Sequence, residues 1–129
     1  MLIDPPYENP DAEFERSLAM IQLILERLAN AVVALWYPIK DERTLVPWLA
    51  RAARALSAPA STIELWLFAR DSRVGLNGSG LLLVNPPHHF TARAELWQQE
   101  LRRVLDPAQR GGSSVHALTR GGSSDDTGT

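Results

Sequence analysis

Short apolar runs halted by proline limit what this chain can fold into more than any other feature. Met1-Leu2-Ile3 runs into Asp4-Pro5-Pro6-Tyr7, "AVVALWYP" ends at Pro38, and "GLLLVNP" ends at Pro86. Each run is too short for a helix. Each meets, at once or one residue later, a proline that cannot donate to a strand ladder, so all three read as buried strands. A fourth strand is expected in "STIELWLFA", where Ile63, Leu65 and Leu67 alternate with Glu64, Trp66 and Phe68.

Helices are expected between the strands. Asn9-Pro10 reads as an N-cap followed by a proline at the first helical position, where its missing N–H costs nothing. Phe14, Leu18, Ile21, Leu25 and Leu28 then form one apolar stripe to about Ala29, with Asp11, Glu13 and Glu15 near the positive end of the helix dipole. Leu45, Trp48, Leu49, Ala52 and Leu56 predict a second helix, in which Pro47 demands a late start or a kink. A third is expected from Phe90 to Leu105, with Leu96, Trp97, Leu101, Val104 and Leu105 facing inward. "RDSRVGLNGSG" joins the last two strands without a helical pattern, which predicts an antiparallel hairpin with a long, mobile connection.

The order is thus strand, helix, strand, helix, strand, strand, helix. Alternating strands and amphipathic helices imply parallel pairing with right-handed crossovers, closed by an antiparallel pair. With 129 residues, 45% of them hydrophobic, and four tryptophans, one domain can bury a core. Beyond Pro107 the composition turns to Gly, Ser, Thr and Asp, and "RGGSS" occurs at Arg110 and again at Arg120. Two copies are too few for an RNA-tracking repeat, so residues 106–129 are expected to form a disordered tail behind a domain of residues 1–105.

The absence of cysteine excludes disulfides and thiolate chemistry. No apolar stretch approaches the roughly 20 residues that span a bilayer, and no leader pattern opens the chain, which predicts a soluble cytoplasmic protein without membrane partners. The net charge of −2 hides an asymmetry: residues 1–42 carry eight acids and three bases, residues 43–120 ten arginines and five acids. Dispersed arginines of this kind serve either a solvated surface or phosphate contacts.

In an α/β sheet, ligands bind outside the carboxyl ends of the strands, where Asp4-Pro5-Pro6-Tyr7 is expected. This tetrapeptide suits the methylation of an exocyclic amine, whose lone pair is delocalised into the base. Acceptors on the amine draw it towards tetrahedral geometry and aim the lone pair at a methyl donor. Asp4 offers carboxylate oxygens and Pro5 a carbonyl; Pro5 and Pro6 remove two donors and stiffen the loop. Tyr7 offers a ring for a flipped-out base. The same residues also suit a stiff turn. "NPPHH" at Asn85 to His89 is a second candidate, with His88 where a stacking aromatic would stand. The glycines of "GLNGSG" are followed by a strand and not by a helix, so they do not match a dinucleotide fingerprint. His88, His89 and His116 lack an acid spaced to complete a metal site.

"MLIDPPYE", "ALWYPI", "IEL" and "GLNGSGLLLVNPP", in this order and at these separations, resemble the bacterial 23S ribosomal RNA adenine methyltransferases. The likeness runs from Met1 to about Leu105. It implies an α/β, partial Rossmann-like S-adenosylmethionine-dependent methyltransferase fold: the C-terminal half, of about four strands with the last pair antiparallel. It further implies methyl transfer from S-adenosylmethionine to an adenine amine of 23S ribosomal RNA, with Asp4, Pro5 and Tyr7 catalytic. Asp4 would also lie beside the cofactor, and Tyr7 and Pro6 beside the base. His88 departs from the tryptophan common there in the family. Members carry the cofactor-binding strands and an RNA-associated insertion ahead of this motif, so the chain is expected to be a truncated form that binds S-adenosylmethionine weakly or not at all. Its first strand would then be left unpaired on one side, open to self-association. The alternatives to an enzyme are an interaction module or a nonfunctional remnant.

Overall fold

The structure, a computed structural model, describes residues 1–70 and 75–119. Its elements follow the expected order with one addition: β1 (Leu2–Ile3), α1 (Pro10–Arg27), β2 (Val33–Ile39), α2 (Glu42–Ala55), β3 (Ala60–Trp66), β4 (Gly78–Val84), α3 (Phe90–Leu105) and β5 (Gly112–Ala117). The five strands form one mixed sheet in the order β1-β2-β4-β3-β5.

β1 pairs parallel to β2, and β4 lies antiparallel between β2 and β3. β2 and β3 therefore run the same way without touching. The carboxyl ends of β1, β2 and β3 share one rim, and the end of β4 lies on the opposite rim.

The added strand corrects the expected tail. β5 pairs antiparallel with β3 from Ser61 to Trp66. Composition misled because the glycines here are required by packing. A Cβ on Gly111 would overlap the Trp66 carbonyl, and one on Gly112 would meet the Trp66 ring at 2.6 Å. Backbone approach this close excludes a side chain. The second "RGGSS", at Arg120, lies outside the described residues, as do residues 71–74 of the connection expected to be mobile.

α1 and α2 cover one face of the sheet. Phe14, Leu18 and Ile21 of α1 and Leu45, Trp48 and Ala52 of α2 pack on Val33, Leu35, Tyr37, Leu82 and Val84. The α1 stripe is buried as expected except for Leu28, which is exposed just past the helix end. α2 neither starts late nor breaks at Pro47. Asp41 caps it by accepting from the Arg43 N–H at 2.9 Å, and the helix runs through Pro47, which is exposed along with Arg43. Water can thus serve the carbonyl that proline leaves without a donor.

α3 lies on the other face, and its inward side differs from the expected one. Ala94 and Gln98 are buried, whereas Leu96, Trp97, Leu101, Val104 and Leu105 are exposed. The small Ala94 lets the helix approach Ile63 and Leu83, and Gln98 Nε2 donates to the Glu64 carbonyl at 2.9 Å. A buried amide satisfied in this way fixes the helix rotation more firmly than an apolar side chain, because its unmade bond would cost about 1–3 kcal/mol.

Candidate active site

Asp4 follows directly on β1, so it stands at the rim shared by the carboxyl ends of the parallel strands. It is exposed, and no described residue forms a hydrogen bond or ion pair with its carboxylate. A hollow of about 300 Å³ opens beside it, walled by Ile3 of β1, by Pro5 and Pro6 of the loop and by Glu13, Arg16 and Met20 of α1. Pro5 is partly buried and Pro6 is exposed.

Tyr7 is placed otherwise than expected. Its backbone is left-handed, with φ 55°, and its ring is only 7% exposed. The hydroxyl donates to the Trp36 carbonyl at 2.6 Å. The ring stacks on Trp48 at 5.8 Å between centroids and 20° between planes, and meets Trp36 edge-on at 5.8 Å. Stacking on a base would require the ring to leave this seat. Burial, followed by the neighbouring charges of Asp4 and Glu13, pushes the Tyr7 phenol well above its ordinary value of 10.

The far end of the loop is tied as well. The Asn9 side chain makes no cap hydrogen bond; instead the Glu13 carboxylate accepts from the Asn9 N–H at 3.0 Å. Trp48 Nε1 donates to Asp11 Oδ1 at 2.6 Å in the first turn of α1, and Trp48 stacks on Phe14 at 4.7 Å. Sequence reasoning assigned Trp48 to the core by its helical spacing; nothing in that spacing announces that its floor supports the Asp4 loop.

A second polar network lies under the same rim. The Tyr37 hydroxyl donates to Glu64 Oε2 at 2.6 Å, Arg70 Nη1 to Glu64 Oε1 at 3.1 Å, and Arg70 Nε to Glu42 Oε1 at 3.0 Å. The Arg70 guanidinium also lies over the Trp66 ring at 4.7 Å. Asn77 organises the residues after β3, its Oδ1 accepting from the Leu67 and Phe68 N–H groups at 3.1 and 2.8 Å.

The second candidate loop stands apart from Asp4. Asn85 directly follows β4 on the opposite rim, and its Nδ2 donates to the Ala29 and Ala31 carbonyls at 2.9 Å each. That amide holds the α1–β2 connection. His88 and His89 are exposed beside it, with ring centroids 3.7 Å apart. Among the described residues there is no cluster of three or more potential metal ligands, and no helix is long and apolar enough to cross a membrane.

Asp4 is thus a free carboxylate on a doubly tethered loop, able to accept hydrogen bonds from a ligand amine or to face a cationic ligand. For S-adenosylmethionine the fit is limited to that residue, since the open hollow does not provide the enclosure that holds most small ligands.

Residues 1–119 match the family model described as ribosomal RNA large subunit methyltransferase D, RlmJ. The chain is 29% identical over 115 residues to ribosomal RNA large subunit methyltransferase J of Escherichia coli (strain K12), covering 89% of this chain and 41% of that protein. The protein of the same name from Haemophilus influenzae is 28% identical over 123 residues, with 92% and 42% covered. The chain therefore spans about two-fifths of the length of the curated relatives it matches. A crystallised Legionella pneumophila protein of family DUF519 superposes with a TM-score of 0.78 at 23% identity, over 92% of this chain and 43% of the other, which shows a shared fold.

Proposed function

The chain belongs to the ribosomal RNA large subunit methyltransferase family RlmJ, and from that premise we propose that it carries the amine-holding loop for methylation of an adenine in 23S ribosomal RNA. The observation that carries this reading is the exposed Asp4 carboxylate, without a protein partner among the described residues, at the tip of a strand parallel to its neighbour. An acceptor already bonded within the protein would have to give up that bond to hold a substrate amine; Asp4 has none to give up.

In this reading S-adenosylmethionine supplies the methyl group. Asp4 accepts a hydrogen bond from the exocyclic amine and faces the cationic donor, and the Pro5 carbonyl is the second acceptor. Together they draw the amine out of conjugation. Pro5 and Pro6 present no N–H to compete for these acceptors. Pro6 lines the substrate side, and Tyr7 belongs to the site either as the loop's anchor or, once displaced from its seat, as the stacking ring. The Rossmann-like methyltransferase fold proposed here is supported by the parallel β1–β2 pair and the antiparallel β4.

Asp4→Ala and Asp4→Asn test the assignment. Methyl transfer from labelled S-adenosylmethionine to protein-free 23S ribosomal RNA is expected to fall by about 100-fold or more in both, in line with the loss of one transition-state contact. Thermal stability should stay within the small range of an exposed substitution, about 0.5 kcal/mol. Full activity in Asp4→Ala would remove the proposal.

A second reading, as an interaction module, draws on a different observation. Among the described residues β1 pairs with β2 alone, and Met1 and Leu2 are 69% and 67% exposed, so the other edge of β1 offers itself to another strand.

A further inference from the structure

We infer that Trp48 is a positioning residue for Asp4, acting through Tyr7. The inference rests on the amine-holding reading of Asp4 and extends it to a side chain on another element.

Asp4 and Tyr7 are separated only by Pro5 and Pro6, whose φ angles are fixed near −65°. The segment therefore moves as a nearly rigid piece, and the seat of Tyr7 sets the direction of Asp4. That seat has three parts. The Trp36 carbonyl takes the Tyr7 hydroxyl, the Trp36 ring meets its edge, and Trp48 forms its floor.

Of these parts, the floor alone is contributed from outside the β1–β2 pair. Trp48 is in turn fixed twice, by stacking on Phe14 and by its bond to Asp11 Oδ1. Tyr7 holds a left-handed backbone, which is strained for a non-glycine residue and persists only where surroundings enforce it. Removing the floor relaxes the constraint, and Asp4 loses its aim. A displacement of about 1 Å at a reacting centre can cost on the order of 100-fold in rate.

The experiment uses the full chain, isotopically labelled with ¹⁵N, in Trp48→Ala, Trp48→Phe and Asp11→Ala forms. Amide resonances of Asp4, Tyr7 and Glu8 are followed beside methyl transfer from S-adenosylmethionine to protein-free 23S ribosomal RNA. Trp48→Ala is expected to shift those resonances and to lower kcat by at least about tenfold with an unchanged KM for RNA. Trp48→Phe, which keeps a ring in the floor, should restore both towards wild type, and Asp11→Ala should fall between.

Unshifted Asp4 and Tyr7 resonances in Trp48→Ala would overturn the inference. So would a shifted loop with kcat unchanged. Should Trp48→Ala fail to fold, Trp48→Phe and Asp11→Ala decide by the same criteria: an ordering that puts kcat loss in step with loop displacement supports the inference, and no correlation overturns it. If the wild-type chain transfers no methyl group, the resonances still decide whether Trp48 sets the loop, and the failure belongs to the methylation reading.

Discussion

Tyr37 reaches Glu64 across the strand that separates them because the residue between is Gly80. A Cβ there would overlap the Tyr37 ring, so glycine opens the path for a buried hydroxyl-to-carboxylate bond. Burial, then the charge and hydrogen bond of Glu64, hold the Tyr37 phenol far above its ordinary value of 10, and Tyr7 is displaced in the same direction. These are the two tyrosines of the chain. An unfolded chain releases both protons near pH 10 while the native state retains them. Their stabilisation is therefore complete below pH 10 and is lost as the pH rises above it, for Tyr37 at up to about 1.4 kcal/mol per pH unit. Urea unfolding midpoints should fall steeply between about pH 9 and 11, with tyrosinate absorbance appearing only on unfolding; native absorbance near pH 10 would contradict this. Asp4 could be read from its own tetrapeptide, since a carboxylate ahead of two prolines has a local meaning. Tyr7 could not, because its hydroxyl partner is 29 residues away and its ring partner Trp48 is 41 residues further along the chain.

The helices differ in how well periodicity located their buried faces. In α1 and α2 the apolar stripe and the buried face coincide, because both pack on the broad apolar side of β2 and β4. In α3 they do not coincide: the helix seats on Ala94 and Gln98 while Trp97, Leu101 and Val104 point outward at 41%, 42% and 77% exposure. Replacing Leu101 and Val104 together by Gln is expected to change unfolding free energy by no more than about 0.5 kcal/mol per site. Ala94→Leu, which overfills the contact with Ile63 and Leu83, should cost about 1–3 kcal/mol. Chemical denaturation of both variants checks the assignment, and the opposite ranking would reverse it. β5 was hidden for a related reason. Gly112, Ser113 and Ser114 have the composition of a loop, and only the close approach of Gly111 to the Trp66 carbonyl and of Gly112 to the Trp66 ring gives the segment a strand's role.

For the whole molecule, the sheet has two edges of unequal kind. β5 is six residues long and carries Ser113 and Ser114, whereas β1 is two residues long, begins with the exposed Leu2 and follows the exposed Met1. If β1 recruits a strand from a second copy, sedimentation velocity should show a dimer growing with protein concentration, and Leu2→Lys should abolish it, since edge charge opposes pairing. A single monomeric species at every concentration would end that reading. The amino-acid sequence by itself determined the element order up to α3, the apolar stripes of α1 and α2, and the Asp4 loop at a strand end, because propensity, proline placement and periodicity act over a few residues. Only the tertiary structure decided the insertion of β4 between β2 and β3, the rotation of α3, the strand at β5 and the burial of Tyr7. Each of these depends on contacts between residues far apart in the chain, where a buried amide or a missing Cβ outweighs local preference.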